Sequence, residues 1–291
     1  MNYSGGYSRE NNSYLLCNDE PLTTDKTHTS SCLTPIFKWL INPCNPHTAL
    51  QSDLCFRLPV LQMIAAKIRD LLFPQSCLLC SNRQAGPIGI CHSCLDDMPW
   101  HIDNVCPQCA LPSVSNHLCG RCLQKPPAFD ATLSLFQYQY PVSAMLQQYK
   151  YGQMLTLAQT WGEILAMRIG ERVLPDRIIP MPLHKKRLQE RGFNQSMEIA
   201  RTLSRHLNVP LDISSCMRTR FTPPQASLPY KERIRNMHDA FSCEQNLQGL
   251  RIALLDDVMT TGASLNALAK TVKSAGASHV ECWIIARTFT P

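Results

Sequence analysis

The stretch RIALLDDVMTTGAS, Arg251 to Ser264, combines residue types and spacing that can do chemistry on a sugar phosphate. Ile252 to Leu255 form an apolar run of buried-strand character, ended by two adjacent carboxylates, Asp256 and Asp257. Such a pair can accept hydrogen bonds from two neighbouring ribose hydroxyls. Thr260, Thr261, Gly262, Ala263 and Ser264 then make a small-residue turn, and the residues from Leu265 onward are apolar at helical spacing. Backbone N–H groups of a turn backed by the positive end of a helix can hold a phosphate dianion. Gly262 allows close backbone approach, and the hydroxyls of Thr260, Thr261 and Ser264 add donors. The blander reading is a strand that ends in two solvated aspartates before an ordinary helix. It accounts for either acid or the glycine alone, but not for the whole string.

A second kind of chemistry lies upstream. Cys77 and Cys80, Cys91 and Cys94, Cys106 and Cys109, and Cys119 and Cys122 form four C-x-x-C units. Each unit can present two thiolates to one Zn²⁺, and four thiolates close a tetrahedral structural site. Two structural zinc sites are therefore expected. Sequential pairing is the simplest arrangement and an interleaved one stays open. The metal reads first as a clip for a segment with little apolar core, and second as a contact for a partner or nucleic acid. His92, His101 and His117 lie nearby, but cysteines already fill both tetrahedra, so the histidines are expected to be bystanders.

The elements that must position these groups follow from pattern. Residues 1–62 are rich in Asn, Ser, Thr and Pro without sustained period and read as a disordered leader. Residues 63–126 hold a short docking helix, MIAAKIRDLLFP, and the cysteine units; residues 127–291 change texture to alternating strands and helices. Strands are expected over 133–140, 177–182, 209–213, 251–255 and 280–286. Helices are expected over 143–149, 155–173, 193–207 and 265–275, with Gly276 as a cap. That alternation predicts an α/β fold with a parallel sheet, whose ligands gather at the carboxyl ends of the strands.

No apolar run approaches the ~18–20 residues of a membrane span. The N-terminus has neither the basic nor the apolar region of a secretory signal, so a cytoplasmic chain is expected. Fifteen cysteines in such a compartment argue for metal rather than disulfides. The net charge is +6 and arises entirely from Pro175 onward, which suits a polyanionic ligand. Pro180-Met181-Pro182-Leu183-His184-Lys185-Lys186-Arg187 is a proline-framed turn followed by three cations. Alone, these read as a solvated basic turn.

LLDDVMTTGAS resembles the phosphoribosyl-pyrophosphate (PRPP) signature of type I phosphoribosyltransferases. In order along the chain, LFPQSCLLC, the following knuckles, PMPLHKKRLQERGFNQS, RTRFTPPQASLPYKERIRN and LLDDVMTTGAS resemble the ComF/GntX family. The resemblance spans about Met63 to Thr288. It makes Met63 a candidate native start, which intact mass of the native protein would test.

The resemblance implies a double zinc ribbon joined to a type I phosphoribosyltransferase-like domain, and a role in natural competence acting on imported single-stranded DNA. Asp256 and Asp257 would bind the ribose hydroxyls, Thr260 to Ser264 the 5-phosphate, and Pro182, Leu183, His184, Lys185, Lys186 and Arg187 the pyrophosphate of Mg²⁺-PRPP. Arg218 to Asn236 would be a mobile flap, and Lys150, in YKYG, matches a family lysine without an assigned role. Two readings follow: a phosphoribosyltransferase, or a non-catalytic adaptor that binds single-stranded DNA or a helicase-like partner, its PRPP pocket a sensor or vestige. The acceptor stays open.

Overall fold

The computed structural model describes residues 76–83, 85–101, 104–152, 154–170, 172–220 and 240–289. The leader, the docking helix and most of the flap stretch lie outside the described residues.

Four parallel strands form the sheet: β1 (Ala131–Gln137), β2 (Arg177–Pro180), β5 (Arg251–Met259) and β6 (His279–Arg287), in the order β1-β6-β5-β2. The central pair β5 and β6 is apolar on both faces because both faces are covered. Ala253, Leu255, Trp283 and Ile285 enter one core, and Ile252, Leu254, Val280, Cys282 and Ile284 the other. This alternation is the period-two consequence of a pleated strand.

On the first face pack α3 (Val142–Tyr151), α4 (Thr156–Ile169) and α6 (Gln195–Leu207); on the second packs α7 (Ala263–Ser274). Helices α4 and α6 approach so closely that a Cβ on Gly162 would lie 2.6 Å from Thr202 Cβ. That contact seats the middle of α6, at Thr202, against α4. Its buried stripe includes Ile199, Ala200, Leu203 and Leu207.

The cysteine-rich segment is built into both cores. Ile90 and Met98 of its first half join the first core, while Cys106, Cys109 and Cys122 of its second half join the other. It also shields the β1 edge: His101 N donates to Leu135 O at 2.9 Å, Gln137 N to Pro99 O at 2.8 Å and Thr132 N to Pro107 O at 3.0 Å. An otherwise open edge strand is thereby satisfied. Two short helices, α1 (His92–Asp96) and α2 (Gly120–Gln124), start immediately after Cys91 and Cys119.

Several expectations shift in detail. The strand expected over 209–213 shrinks to a single bridge between Leu211 and Ile178. Asp212 turns the chain away, its Oδ1 accepting from Ser214 N at 3.2 Å and Ser215 N at 2.9 Å. Strand β5 runs past Leu255 to Met259, so the acidic pair stands within a strand rather than in a loop. Lys185, Lys186 and Arg187 form the first turn of a helix, α5 (Lys185–Arg191). The flap stretch begins at a two-stranded antiparallel ribbon, β3 (Cys216–Arg218) paired with β4 (Phe241–Cys243).

Candidate functional site

Pairing of β2 with β5 ends at Pro180 and Leu255, which leaves the next residue of β5, Asp256, at the carboxyl end of the sheet. Asp256 Oδ1 accepts from Ser196 Oγ at 3.0 Å and from the Asp257 N–H at 2.9 Å. Asp257 Oδ2 pairs with Lys150 Nζ at 3.0 Å, both groups being largely buried. Burial and then the Asp257 charge push the Asp256 carboxyl up to about 7, against the pull of the Asp257 N–H, Lys150 and Ser196. Burial lowers Lys150, but Asp257 outweighs it and the ammonium ends above its ordinary range. One acid is thus held by a cation, and its neighbour sits near its titration point.

Past β5, Thr260, Thr261 and Gly262 lead directly into α7. Gly262 is the N-cap at φ 77°, a left-handed conformation that favours glycine. Thr261 Oγ1 accepts from Ala263 N at 3.3 Å. Thr260, Thr261, Gly262, Ala263 and Ser264, with Asp256, line a small cavity of about 30 Å³. The buried Arg287 fixes the entry to this turn. Its Nη1 donates to Met259 O at 2.8 Å and to Thr260 O, and its Nε to Cys109 O at 3.0 Å. Burial lowers this guanidinium to about 10, so it remains charged at neutral pH.

The second loop leaves β2 beside the same edge. Met181 N donates to Leu255 O at 2.8 Å, and Asn194 Nδ2 donates to Met181 O at 3.0 Å. Pro182 and Leu183 follow, and His184 caps α5 by accepting from Lys186 N at 3.2 Å. Lys185 and Lys186 are exposed, whereas Arg187 is half-buried. Burial and then Arg191 lower Arg187; burial and then Arg187 lower Arg218, with Asp256 opposing. Arg191 also lies over the Tyr151 ring at 5.9 Å. Lys150 and Arg218 therefore act on the acidic pair directly, with Arg191 felt at Lys150 and Arg187 at Arg218. Ser196 closes the string PMPLHKKRLQERGFNQS and Arg218 opens RTRFTPPQASLPYKERIRN, but neither string marked them as partners of the acidic pair; the YKYG string is the sequence signal for Lys150.

The cysteines separate into two sets, Cys77, Cys80, Cys91 and Cys94, and Cys106, Cys109, Cys119 and Cys122, with the sulfurs of each set within 4.8 Å of one another. The pairing is sequential. A Zn–S distance of about 2.3 Å in a tetrahedron sets S···S edges near ~3.8 Å. The 3.6 Å separations of Cys80 from Cys91 and of Cys109 from Cys119 fit that geometry. Burial raises Cys77, but N–H groups of Cys80, Cys91 and Leu79 outweigh it and bring the thiol down to about 6. Cys106 is brought to about 7 in the same way, by the N–H groups of Cys119, Cys109 and Gln108. Cys94 is instead pushed up by the Cys80 and Cys91 sulfurs, and Cys109 and Cys122 by burial, so four thiolates can coexist in either set only around a cation. His101 is instead buried against Ala110 O, with Nε2 at 2.7 Å.

Among the described residues no helix is long and apolar enough to cross a membrane. Residues 68–123 match the double zinc ribbon domain. Among solved structures, the adenine phosphoribosyltransferase of Thermoanaerobacter pseudethanolicus is 19% identical, covering 52% of this chain and 85% of that one, with a TM-score of 0.31. A likeness that loose decides nothing beside the strand order and loop chemistry above. The chain is similar to the DNA utilization protein YhgH of Escherichia coli K12, 37% identical over 227 residues that cover 75% of this chain and 99% of that protein. It is 30% identical to competence protein F of Haemophilus influenzae over 226 residues, covering 72% and 96% of the two chains. With relatives this similar matched over nearly their whole length, the chain belongs to the ComF family of DNA utilization and competence proteins.

Proposed function

We propose that this chain binds Mg²⁺-PRPP at the carboxyl end of its sheet, as part of a role in natural competence and the handling of imported single-stranded DNA. The observation that carries the reading is the acidic pair at the mouth of a Thr-Thr-Gly turn, with Lys150 paired to Asp257 and Arg218 within electrostatic reach of Asp256. Asp256 and Asp257 accept from the ribose hydroxyls. The N–H groups and hydroxyls of Thr260 to Ser264 hold the 5-phosphate. The loop Pro182 to His184, with Lys185, Lys186 and Arg187, receives the pyrophosphate, and Arg218 reaches the same charge from the opposite side. Mg²⁺ would arrive with the substrate and neutralise part of its charge, so Asp256, Asp257 and the cations around them would have only to orient the substrate and offset negative charge as pyrophosphate departs.

Calorimetric titration of Mg²⁺-PRPP into the zinc-loaded full chain tests this, with Asp256→Asn/Asp257→Asn as control. Saturable binding that the double substitution abolishes is expected. Absence of binding by folded, zinc-replete protein would overturn the reading.

A further inference from the structure

The phosphate turn has a second neighbour. Thr261, Gly262 and Ala263 line not only the small cavity beside Asp256 but also a larger one, of about 650 Å³, between the second cysteine cluster and α7. That volume falls within the range of ligand sites rather than packing defects.

Its chemistry differs from that of the acidic pair. Arg121, Lys125, Lys270 and Arg287 all lie on its wall, and among the described residues no Asp or Glu does. Zinc with four thiolates carries net negative charge, and the buried Arg287 lies against Cys109 O beside that cluster. Lys125 and Lys270 are exposed, on opposite walls, and are not engaged in that compensation. Pro126, Pro127 and Ala267 supply accessible apolar surface, whereas Phe129 and Phe241 are buried, Phe241 beneath Arg218 at 5.4 Å. Asn266 spends its Oδ1 on the Ala128 N–H at 2.7 Å, which turns the amide so that it offers a donor rather than an acceptor.

From this we infer that the cavity is a second ligand site, for a nucleoside monophosphate group. Cations with no counter-carboxylate among the described residues select a phosphate, and the accessible apolar wall of Pro126, Pro127 and Ala267 suits the flat face of a base. A bare sugar phosphate is disfavoured, because no described residue here repeats the acidic pair that a ribose diol needs. The group can come from a free nucleotide or from the 5′ end of a DNA strand. The assignment does not depend on PRPP binding at the neighbouring site.

Calorimetric titration of dTMP, thymidine and 5′-phosphorylated dT10 into the zinc-loaded full chain tests it, with Lys125→Glu/Lys270→Glu and the milder Lys270→Ala alongside. Saturable binding of dTMP or of the phosphorylated strand is expected, with thymidine at least about tenfold weaker, and reversal of the two charges weakening it about tenfold or more. Binding of dTMP assigns the free nucleotide; binding of the strand alone assigns the strand end. Mg²⁺-PRPP titration of the same variants should be unchanged, since neither lysine belongs to that site. Absence of binding by both phosphorylated probes, equal binding of thymidine, or binding indifferent to the lysine substitutions would each overturn the assignment.

Discussion

Removing the Arg287 guanidinium by Arg287→Met isolates the tie between the second cysteine cluster and the phosphate turn. Arg287 is 1% exposed, and its donors reach Cys109 O, Met259 O, Thr260 O and Thr288 O. Of the two innermost carbonyls it bridges, Met259 O keeps the Thr288 N–H at 3.1 Å while the buried Cys109 O is left without a donor; Thr260 is exposed and Thr288 half-buried, so water can take their carbonyls. A buried carbonyl without a donor costs about 1–3 kcal/mol. Part of that cost is offset because a buried cation no longer has to be desolvated. A net loss of about 1–3 kcal/mol corresponds to a fall in Tm of roughly 3–10 °C for a unit of this size. Zinc release to a chromogenic chelator should accelerate in parallel, because the Cys109 backbone loses its anchor. Arg287→Lys should restore less than half of the loss, since one ammonium cannot span both carbonyls. Thermal unfolding and chelator kinetics of the three proteins measure this. A Tm within about 2 °C of wild type, with unaltered zinc release, would refute the reasoning.

The remaining expectations concern the acidic pair, the turn and the ribbons. Asp256 is an acid whose folded pKa, about 7, lies above its unfolded value, so its own contribution to stability is fully present below the unfolded value and is lost as pH rises from there through 7. Asp256→Asn keeps the Oδ1 acceptor but removes that titration. Its Tm relative to wild type should therefore be higher at pH 8 than at pH 5, as parallel melts will register. Mg²⁺-PRPP affinity of the wild type should run the other way, rising up to tenfold per pH unit below 7 as the accepting carboxylate ionises, and calorimetry across pH 6–8 reads this slope. Gly262→Ala has room, its nearest neighbour being Met259 Sδ at 3.6 Å, but must adopt φ 77°. It should lose about 1 kcal/mol in denaturant melts and weaken PRPP binding in the same preparation. Because each ribbon belongs to a different core, Cys77→Ser and Cys106→Ser should each release one zinc and destabilise the sheet. Metal analysis with far-UV melts measures both effects, and a sheet that melts unchanged would contradict the packing.

What the sequence determined by itself is what lies contiguous along the chain. Ile252 to Leu255, the two acids, the Thr-Thr-Gly turn and the helix after it are local events, legible because strand periodicity, turn chemistry and helix capping act over a few residues. The four C-x-x-C units are local as well, and so is the parallel α/β pattern. How the units pair is a tertiary matter: both pairings satisfy the spacing, and only the folded backbone brings Cys77 with Cys91 and Cys106 with Cys119. The partners of the acidic pair are equally non-local. Ser196 is 60 positions from Asp256, and Arg287 is 178 from the Cys109 carbonyl it holds. The extension of β5 through both aspartates also lay beyond pattern reading, since charged residues look like the end of a strand. It is parallel pairing of Asp256 with Ile284 and Val258 with Ala286 on β6 that carries the strand on. The ribbons look in sequence like an appended clip with too little core of its own. In the fold they lend their apolar residues to the two faces of the sheet and cover its β1 edge, because that edge needs hydrogen-bond partners that only a distant segment can supply.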